Sequence, residues 1–558
     1  MANQAIQGPV VRDRALQHAR NTRTIDGVSW LRVAAWLFCA AIVITPLSAI
    51  VIQGFSANHL PLLLRGDVFE AAANSLVSAS VSALGAVALG TALALLLDRT
   101  DLPGAGILRL FMLTPMLVPP FVGAIAWIGI GGPASPVNRM WTDAFGGPLW
   151  NIYGGDGVIF LLIVHSYPLA YLLVGAALRR VPSDLEQVAR IGGATPWTAV
   201  RHVTIPLLRP ALLSAFTLTL VSNLADFGIP SIVGLPESYV TLSTLVYRYI
   251  QSGTVDRPLE VVSTIGLVLL VLAVLAVALD HLLSRKRLEL DGGSTVPVPL
   301  RLGRARPVVA GIAWTVGLAL TLLPMLALAT QALLPAPGVP LTWGNLTLDS
   351  LKRALLAPAT AVGTINSIVL SVCAGTICTI VGLTIGTLVT RIRSRDNTPL
   401  TAVALIPQAI PGLVLAVGWL IVAPHFGLFN TRWLILCAYV MAFLGIVVQA
   451  VNAPLRGTPL ALEEAARLAG ASRMRALMDI SWRLALPAAL TGGVLVVLTA
   501  VRELTISVLL VAPGMHTLGV SIFNLQQAGA YNAASALSLV ITVVGLVGLG
   551  LAARRRDA

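Results

Sequence analysis

Charge is scarce in this sequence: Asp, Glu, Lys and Arg together make up 11% of the 558 residues, against 56% hydrophobic ones, and the mean hydropathy is +0.86. So little charge cannot cover the surface of a water-soluble chain of this size, which excludes the soluble globular classes. Lysine is nearly missing. Lys286 and Lys352 are the only two and neither follows a glycine, so there is no Gly-Lys-Ser/Thr loop to cradle the phosphates of a nucleotide. Cysteine is limited to Cys39, Cys373, Cys378 and Cys437. All four lie inside apolar runs, with no paired spacing in a loop and no Cys/His cluster, which excludes a disulfide framework and a metal knot and leaves them as small core residues. The alternating ten-residue pattern of an outer-membrane barrel is also missing. Nothing predicts a bound metal or cofactor.

What the sequence does have is a series of apolar runs near 20 residues long, each sufficient to cross about 30 Å of hydrocarbon as a helix. They predict an all-α polytopic membrane protein with twelve spans, at about 31–53, 71–97, 108–131, 157–178, 207–227, 260–283, 307–333, 364–390, 400–423, 433–453, 486–511 and 532–552. An even number places both termini on one side. Most of the 37 Lys and Arg fall on that side, so the positive-inside rule makes it cytoplasmic, in a bacterial inner membrane. Residues 1–30 are polar, Arg-bearing and without the apolar core of a cleavable signal, and are expected to remain as a cytoplasmic tail. The net charge of +13 is spread over many short loops beside spans and does not gather on one basic domain, which argues against nucleic acid as a partner. A polar, Gly/Pro-containing, basic stretch at 285–306 separates the first six spans from the second six. The expected organisation is thus a first domain over 31–284, a linker, a second domain over 307–553 and a short cytoplasmic tail at 554–558.

The two halves are related. An offset of 292 residues aligns Asn74-Ser75 with Asn366-Ser367, Arg99 with Arg391, Pro115 with Pro407, Pro119 with Pro411 and Trp127 with Trp419. Six spans separate the copies, so they share one orientation and form a parallel repeat. The prolines predict that the third helix of each half is kinked or broken at its cytoplasmic end.

A second similarity lies between the fourth and fifth spans of each half, now at an offset of 277: LEQVARIGGATPWTAVRHVTIPLLRP from Leu185 and LEEAARLAGASRMRALMDISWRLALP from Leu462. Glu186 matches Glu463, Arg190 matches Arg467, Gly193 matches Gly470 and Pro210 matches Pro487. Each copy reads as a short helix stopped by a glycine, a turn, and a helix returning to the membrane. Ala189, Ala465 and Ala466 would let a partner approach closely, and the charged residues would fix its register. These segments resemble the coupling loops of binding-protein-dependent ABC importer permeases, whose pattern is Glu-Ala-Ala, three residues, Gly, nine residues and Ile-x-Leu-Pro. The second copy supplies Glu464, Ala465, Ala466, Gly470 and Ile480; the first supplies Gln187, Val188, Ala189, Gly193, Val203, Ile205 and Pro206, so Gln187-Val188 and Trp482-Arg483 depart from the pattern.

The resemblance implies a transport subunit and not an enzyme. Its partners are a cytoplasmic ABC ATPase, in two copies, that receives the loops and an extracytoplasmic solute-binding protein that delivers cargo, with alternating access in the surrounding lipid bilayer. Both halves in one chain, with ADFGIPSIVG after the first loop and RELTISVLLVAPG after the second, look most like the ferric-iron-type permeases; related fused permeases serve thiamine and aminoethylphosphonate. Asp226 and Glu503, matched at the offset of 277, lie near the ends of the fifth and eleventh spans and are candidates for a substrate pathway or for helix caps. An ion-gradient-driven secondary transporter also has twelve spans but gives no reason for the duplicated loop. A membrane enzyme is disfavoured because His165 and His425 have no acidic or Ser partner nearby in sequence.

Overall fold

The computed structural model describes residues 27–56, 66–253, 257–283, 300–392 and 394–557. Among them secondary structure is helical, apart from an isolated bridge between Thr100 and Leu300. A helix satisfies its own backbone inside hydrocarbon, which is why apolar sequence of this length adopts it. Among the described residues ten helices are long and apolar enough to cross a membrane: Gly27–Phe55, Gly66–Arg99, Pro120–Phe145, Gly155–Leu178, Pro196–Ala225, Pro258–Asp280, Gly303–Ala332, Pro358–Arg391, Arg432–Gly457 and Arg473–Val501. A bent pair, Asn397–Ala409 with Gly412–Phe426, and the final helix Tyr531–Asp557 stand where the ninth and twelfth spans are predicted. The tail at 1–26 and the linker at 285–299 lie outside the described residues; the final helix carries on through 554–557.

The third span of each half is broken at its prolines, as the sequence predicts. In the first half, helix Ala105–Leu113 tightens into a 3-10 turn over Thr114–Leu117, stops at Val118 and restarts at Pro120. In the second half the two pieces meet at 110°. Pro115, Pro119 and Pro120 remove successive donors, and the residue before a proline is driven to extended backbone, as Val118 is at φ −85°, ψ 132°. The fifth span ends at Ala225, as expected, but the eleventh ends early, at Val501, and short helices that the hydropathy pattern did not flag follow them: Leu242–Gln251 and Leu518–Gln527.

The described chain forms two compact units. One comprises the start of the first span up to Ile44, Gly375–Leu405 and Phe443–Val496; the other comprises Thr45–Ala374, Ile406–Ala442 and the chain from Val497. In the larger unit, Asn74 of the second span donates to the Val240 carbonyl at 3.0 Å and Ser75 accepts from the Leu242 amide at 2.7 Å, pinning the start of helix Leu242–Gln251. Asn366 and Ser367 do the same for Leu518–Gln527, through the His516 carbonyl at 3.1 Å and the Leu518 amide at 2.8 Å. The Asn-Ser repeat is therefore a pair of helix anchors.

Close packing of the second and fourth spans repeats as well. A Cβ placed on Gly90 would come within 2.6 Å of the Tyr171 amide nitrogen and 2.9 Å of the Ala170 Cβ; within the smaller unit, one on Gly382 would come within 2.7 Å of the Val447 Cβ. Only glycine permits this approach, the small-residue logic of helix pairs in lipid. Gly90→Val and Gly382→Val should each cost about 1–3 kcal/mol by overpacking. Thermal unfolding in detergent checks this: both variants should melt earlier than wild type, while Gly106→Val, at a glycine with open space around its Cβ, should not.

Candidate functional site

The two loops singled out by sequence fold alike. The first runs as helix Ser183–Ile191, a turn through Gly192 and Gly193, helix Pro196–Ala199, a π-helical turn over Val200–Thr204, and the fifth span. The second runs as Leu460–Leu468, a turn at Gly470, Arg473–Ala476, a π-helical turn over Leu477–Trp482, and the eleventh span. Gly193 and Gly470 sit at φ +92° and +94°, in the left-handed region that a side chain resists, so each ends its helix and reverses the chain. Thr195 and Ser472 start the next helix by accepting from the amides of Thr198 and Arg475.

Beneath each loop is a buried charge clamp. In the larger unit Arg99, the last residue of the second span, lies 3.7 Å from Glu186 and donates to the carbonyls of Leu178 and Val181 at 3.2 and 3.4 Å. Thr204 donates its hydroxyl to the same Glu186 oxygen. In the smaller unit Arg391 Nε donates to Glu463 Oε1 at 2.6 Å and Arg391 Nη1 to the carbonyls of Leu455 and Thr458 at 3.1 and 2.8 Å, and the Ser481 hydroxyl donates to Glu463. A glutamate and an arginine together thus tie a loop helix to three spans: the arginine ends the second and donates to carbonyls at the end of the fourth, and the glutamate meets the arginine and takes a hydroxyl from the start of the fifth. The Arg99 and Glu186 side chains are only 2% and 8% exposed, and Arg391 and Glu463 4% and 13%. Burial at this depth strengthens the attraction and makes an unpartnered charge expensive.

The sequence located Glu186, Glu463, Arg99 and Arg391 but not their meeting. Thr204 and Ser481 escaped notice although a hydroxyl follows each glutamate at the same separation, 18 residues. The remaining candidates face outward: Gln187, Gly193, Glu464, Ala465 and Gly470 are exposed, Ala189 and Ala466 half-buried. Ile191 and Leu468, matched at the offset of 277, are 87% and 90% exposed at the tips of the two loop helices.

Asp226 and Glu503 occupy equivalent discontinuities after the fifth and eleventh spans. Asp226 accepts from the Ile229 amide at 2.9 Å, and Glu503 from the amides of Ile506 and Ser507 at 2.6 and 3.0 Å. Both carboxylates therefore cap the chain where it restarts. The restarts lie against the interrupted third spans, since a Cβ on Gly228 would stand 2.9 Å from that of Phe121 and one on Gly412 3.1 Å from Ile506. Arg502 reaches the first of these interruptions, donating to the Met116 and Leu117 carbonyls at 3.2 and 2.7 Å. Phe227, Tyr247 and Phe523 pack beside Asp226, with centroids 5.1 to 5.8 Å apart. Among the described residues no His/Cys/Asp/Glu group is arranged to hold a metal ion.

Arg391→Gln should cost about 3–5 kcal/mol because Glu463 is left without its counter-charge, and Arg391→Gln with Glu463→Gln should recover part of that loss. A double-mutant cycle on thermal unfolding measures it; additive losses would show that the two side chains do not act together.

The model of the family "Binding-protein-dependent transport system inner membrane component" matches this chain twice, over residues 86–289 and 378–554. Similar proteins include the ferric transport system permease protein FbpB of Actinobacillus pleuropneumoniae, 24% identical over 493 residues that cover 87% of this chain and 70% of that protein. The Fe(3+)-transport system permease protein FbpB 2 of Haemophilus influenzae is 23% identical over 87% of this chain and 90% of its own length. The probable ABC transporter permease protein y4fN of Sinorhizobium fredii is 27% identical over 85% and 86%. With the family's match repeated in both halves over most of the sequence, the chain belongs to the inner membrane components of binding-protein-dependent transport systems.

Proposed function

We propose that this chain is the translocation subunit of an ABC importer, that iron(III) is its cargo, and that a separate cytoplasmic ATPase in two copies drives it. The observation that carries the reading is the pair of clamped loops: each presents an exposed apolar tip, Ile191 or Leu468, on a helix tied through a glutamate–arginine pair to three spans. A push on such a tip passes into the membrane without being lost in loop bending. In this reading Gln187, Ala189, Glu464, Ala465 and Ala466 form the rest of the docking face, and Gly193 and Gly470 set its angle. ATP hydrolysis falls to the partner, in keeping with the lack of a Gly-Lys-Ser/Thr loop. We read the transport domains as 31–284 and 307–553, joined by 285–306. The distribution of Lys and Arg supports placing the loops and both termini on the cytoplasmic side of a bacterial inner membrane.

An extracytoplasmic binding protein would deliver cargo to the opposite face, and alternating access would carry it through. Iron(III) is favoured by the names of two of the relatives, ferric transport permeases matched along most of this chain. Asp226 and Glu503 are read as acidic residues of the pathway in addition to their capping bonds.

Two experiments test this. Cysteine introduced at Ile191 or Leu468 in a background lacking native cysteines should react with a membrane-impermeant maleimide in inverted vesicles only, and the purified ATPase should protect it; labelling from outside intact cells would overturn the orientation. Uptake of labelled ferric iron, thiamine and aminoethylphosphonate, with and without the gene, should show loss of iron alone. Asp226→Asn, which keeps an acceptor for the Ile229 amide and removes the charge, should then lower iron uptake without lowering the amount of protein in the membrane.

A further inference from the structure

Within the smaller unit, a groove of about 640 Å³ opens between the first span, the loop after the eighth span and the helix that follows the second coupling loop. Its volume is in the range of small-molecule sites. Its walls change character along the first span. Ser29 and Arg32 stand at one end with Ser394, Asp396 and Arg473 around them, and Val33, Trp36, Leu37 and Ala40 continue below. Val33 and Leu37 are 49% and 66% exposed. A polar, basic mouth above an apolar wall on a spanning helix has the profile of one lipid molecule, headgroup to upper acyl chain.

The charges point to an anionic headgroup. The Arg32 side chain is only 14% exposed, yet its described partners are distant: Asp396 at 3.9 Å and the Ile392 carbonyl at 3.5 Å, both longer than the usual 2.7–3.2 Å for N–H···O bonds. Arg473 brings a second guanidinium to the same mouth, and Asp396, the carboxylate lining it, is 55% exposed. Planar guanidinium groups with unfilled donors suit phosphate oxygens. In the other half, the seventh span meets the corresponding loop differently: Trp314 donates to the Pro103 carbonyl at 3.3 Å, and the side chains of Leu108 and Met112 close on Gly317.

We infer that this groove binds the phosphodiester headgroup of an anionic phospholipid between Arg32 and Arg473, with its glycerol and upper acyl carbons against Val33, Trp36 and Leu37. Arg473 opens the short helix that follows Gly470, so the lipid links the first span to the second coupling loop directly. The inference requires only that the chain sits in a bilayer and is independent of the cargo. The N-terminal segment of this chain is a poorer occupant, since Arg12, Arg14, Arg20 and Arg23 give it the same sign of charge as the mouth.

Native mass spectrometry of the full chain released from mixed phosphatidylglycerol and phosphatidylcholine micelles tests the site. Phosphatidylglycerol should be retained in preference, and Arg32→Gln and Arg473→Gln should each lower its retention by about fivefold, the effect of one cation near an anionic lipid. Arg475→Gln, at an exposed arginine paired with Asp479, should leave retention unchanged, and a photoactivatable phosphatidylglycerol should label the peptide containing Trp36. Equal retention of the two lipids, or equal losses in all three variants, would overturn the proposal. Displacement by excess inorganic phosphate would reassign the site to a free anion, and increased retention on deleting residues 1–26 would reassign it to the N-terminal segment.

Discussion

Everything at the loop side of this protein is organised around one buried arginine at the end of the second span. A guanidinium that is 2% or 4% exposed needs partners, and the fold supplies two carbonyls from the end of the fourth span and one glutamate from the loop helix, while Arg99 Nη1 and Arg391 Nη2 stay buried without a hydrogen bond. The glutamate has acceptor capacity left over and takes a hydroxyl from the π-helical turn that opens the fifth span. The π turn fits this role, since widening the helix just before the membrane brings Thr204 or Ser481 to the carboxylate. Remove the arginine and four separate elements lose their common tie.

The clamp also explains why the two loops match so closely in backbone while their outer surfaces diverge. Positions facing the arginine are held by charge and geometry, so Glu186 and Glu463, Thr204 and Ser481 keep their chemistry. Positions facing away are free to change, as Gln187-Val188 against Glu464-Ala465 illustrates. Of the departures from the family pattern, Gln187-Val188 lies on the outward face of its loop helix and Trp482-Arg483 at the start of the eleventh span, and neither removes an anchoring glutamate or hydroxyl.

Much of this was legible beforehand, for identifiable reasons. Spans declare themselves by length and hydropathy, and a parallel repeat declares itself through rare residues at one offset, so Arg99 and Arg391 stood out before any partner was known. Their meeting with Glu186 and Glu463 was not readable, because the arginines repeat at 292 residues and the glutamates at 277, and no single offset aligns both. The helix anchors formed by Asn74-Ser75 and Asn366-Ser367 were visible as identities only, since their partners are main-chain groups about 150 to 170 residues away. The interruption of the third spans was legible from Pro115, Pro119, Pro407 and Pro411, since each removes a donor; which neighbours donate to the carbonyls freed there was not.

Those neighbours differ between the halves. At the first interruption, Arg502 from the second half binds the carbonyls of Met116 and Leu117; the residue matched to Arg502 in the first half is Ala225, which has nothing to reach with. The two halves therefore reach similar bends by different chemistry: at Met116 and Leu117 a guanidinium rests on main-chain dipoles, a contact that Ala225 cannot return.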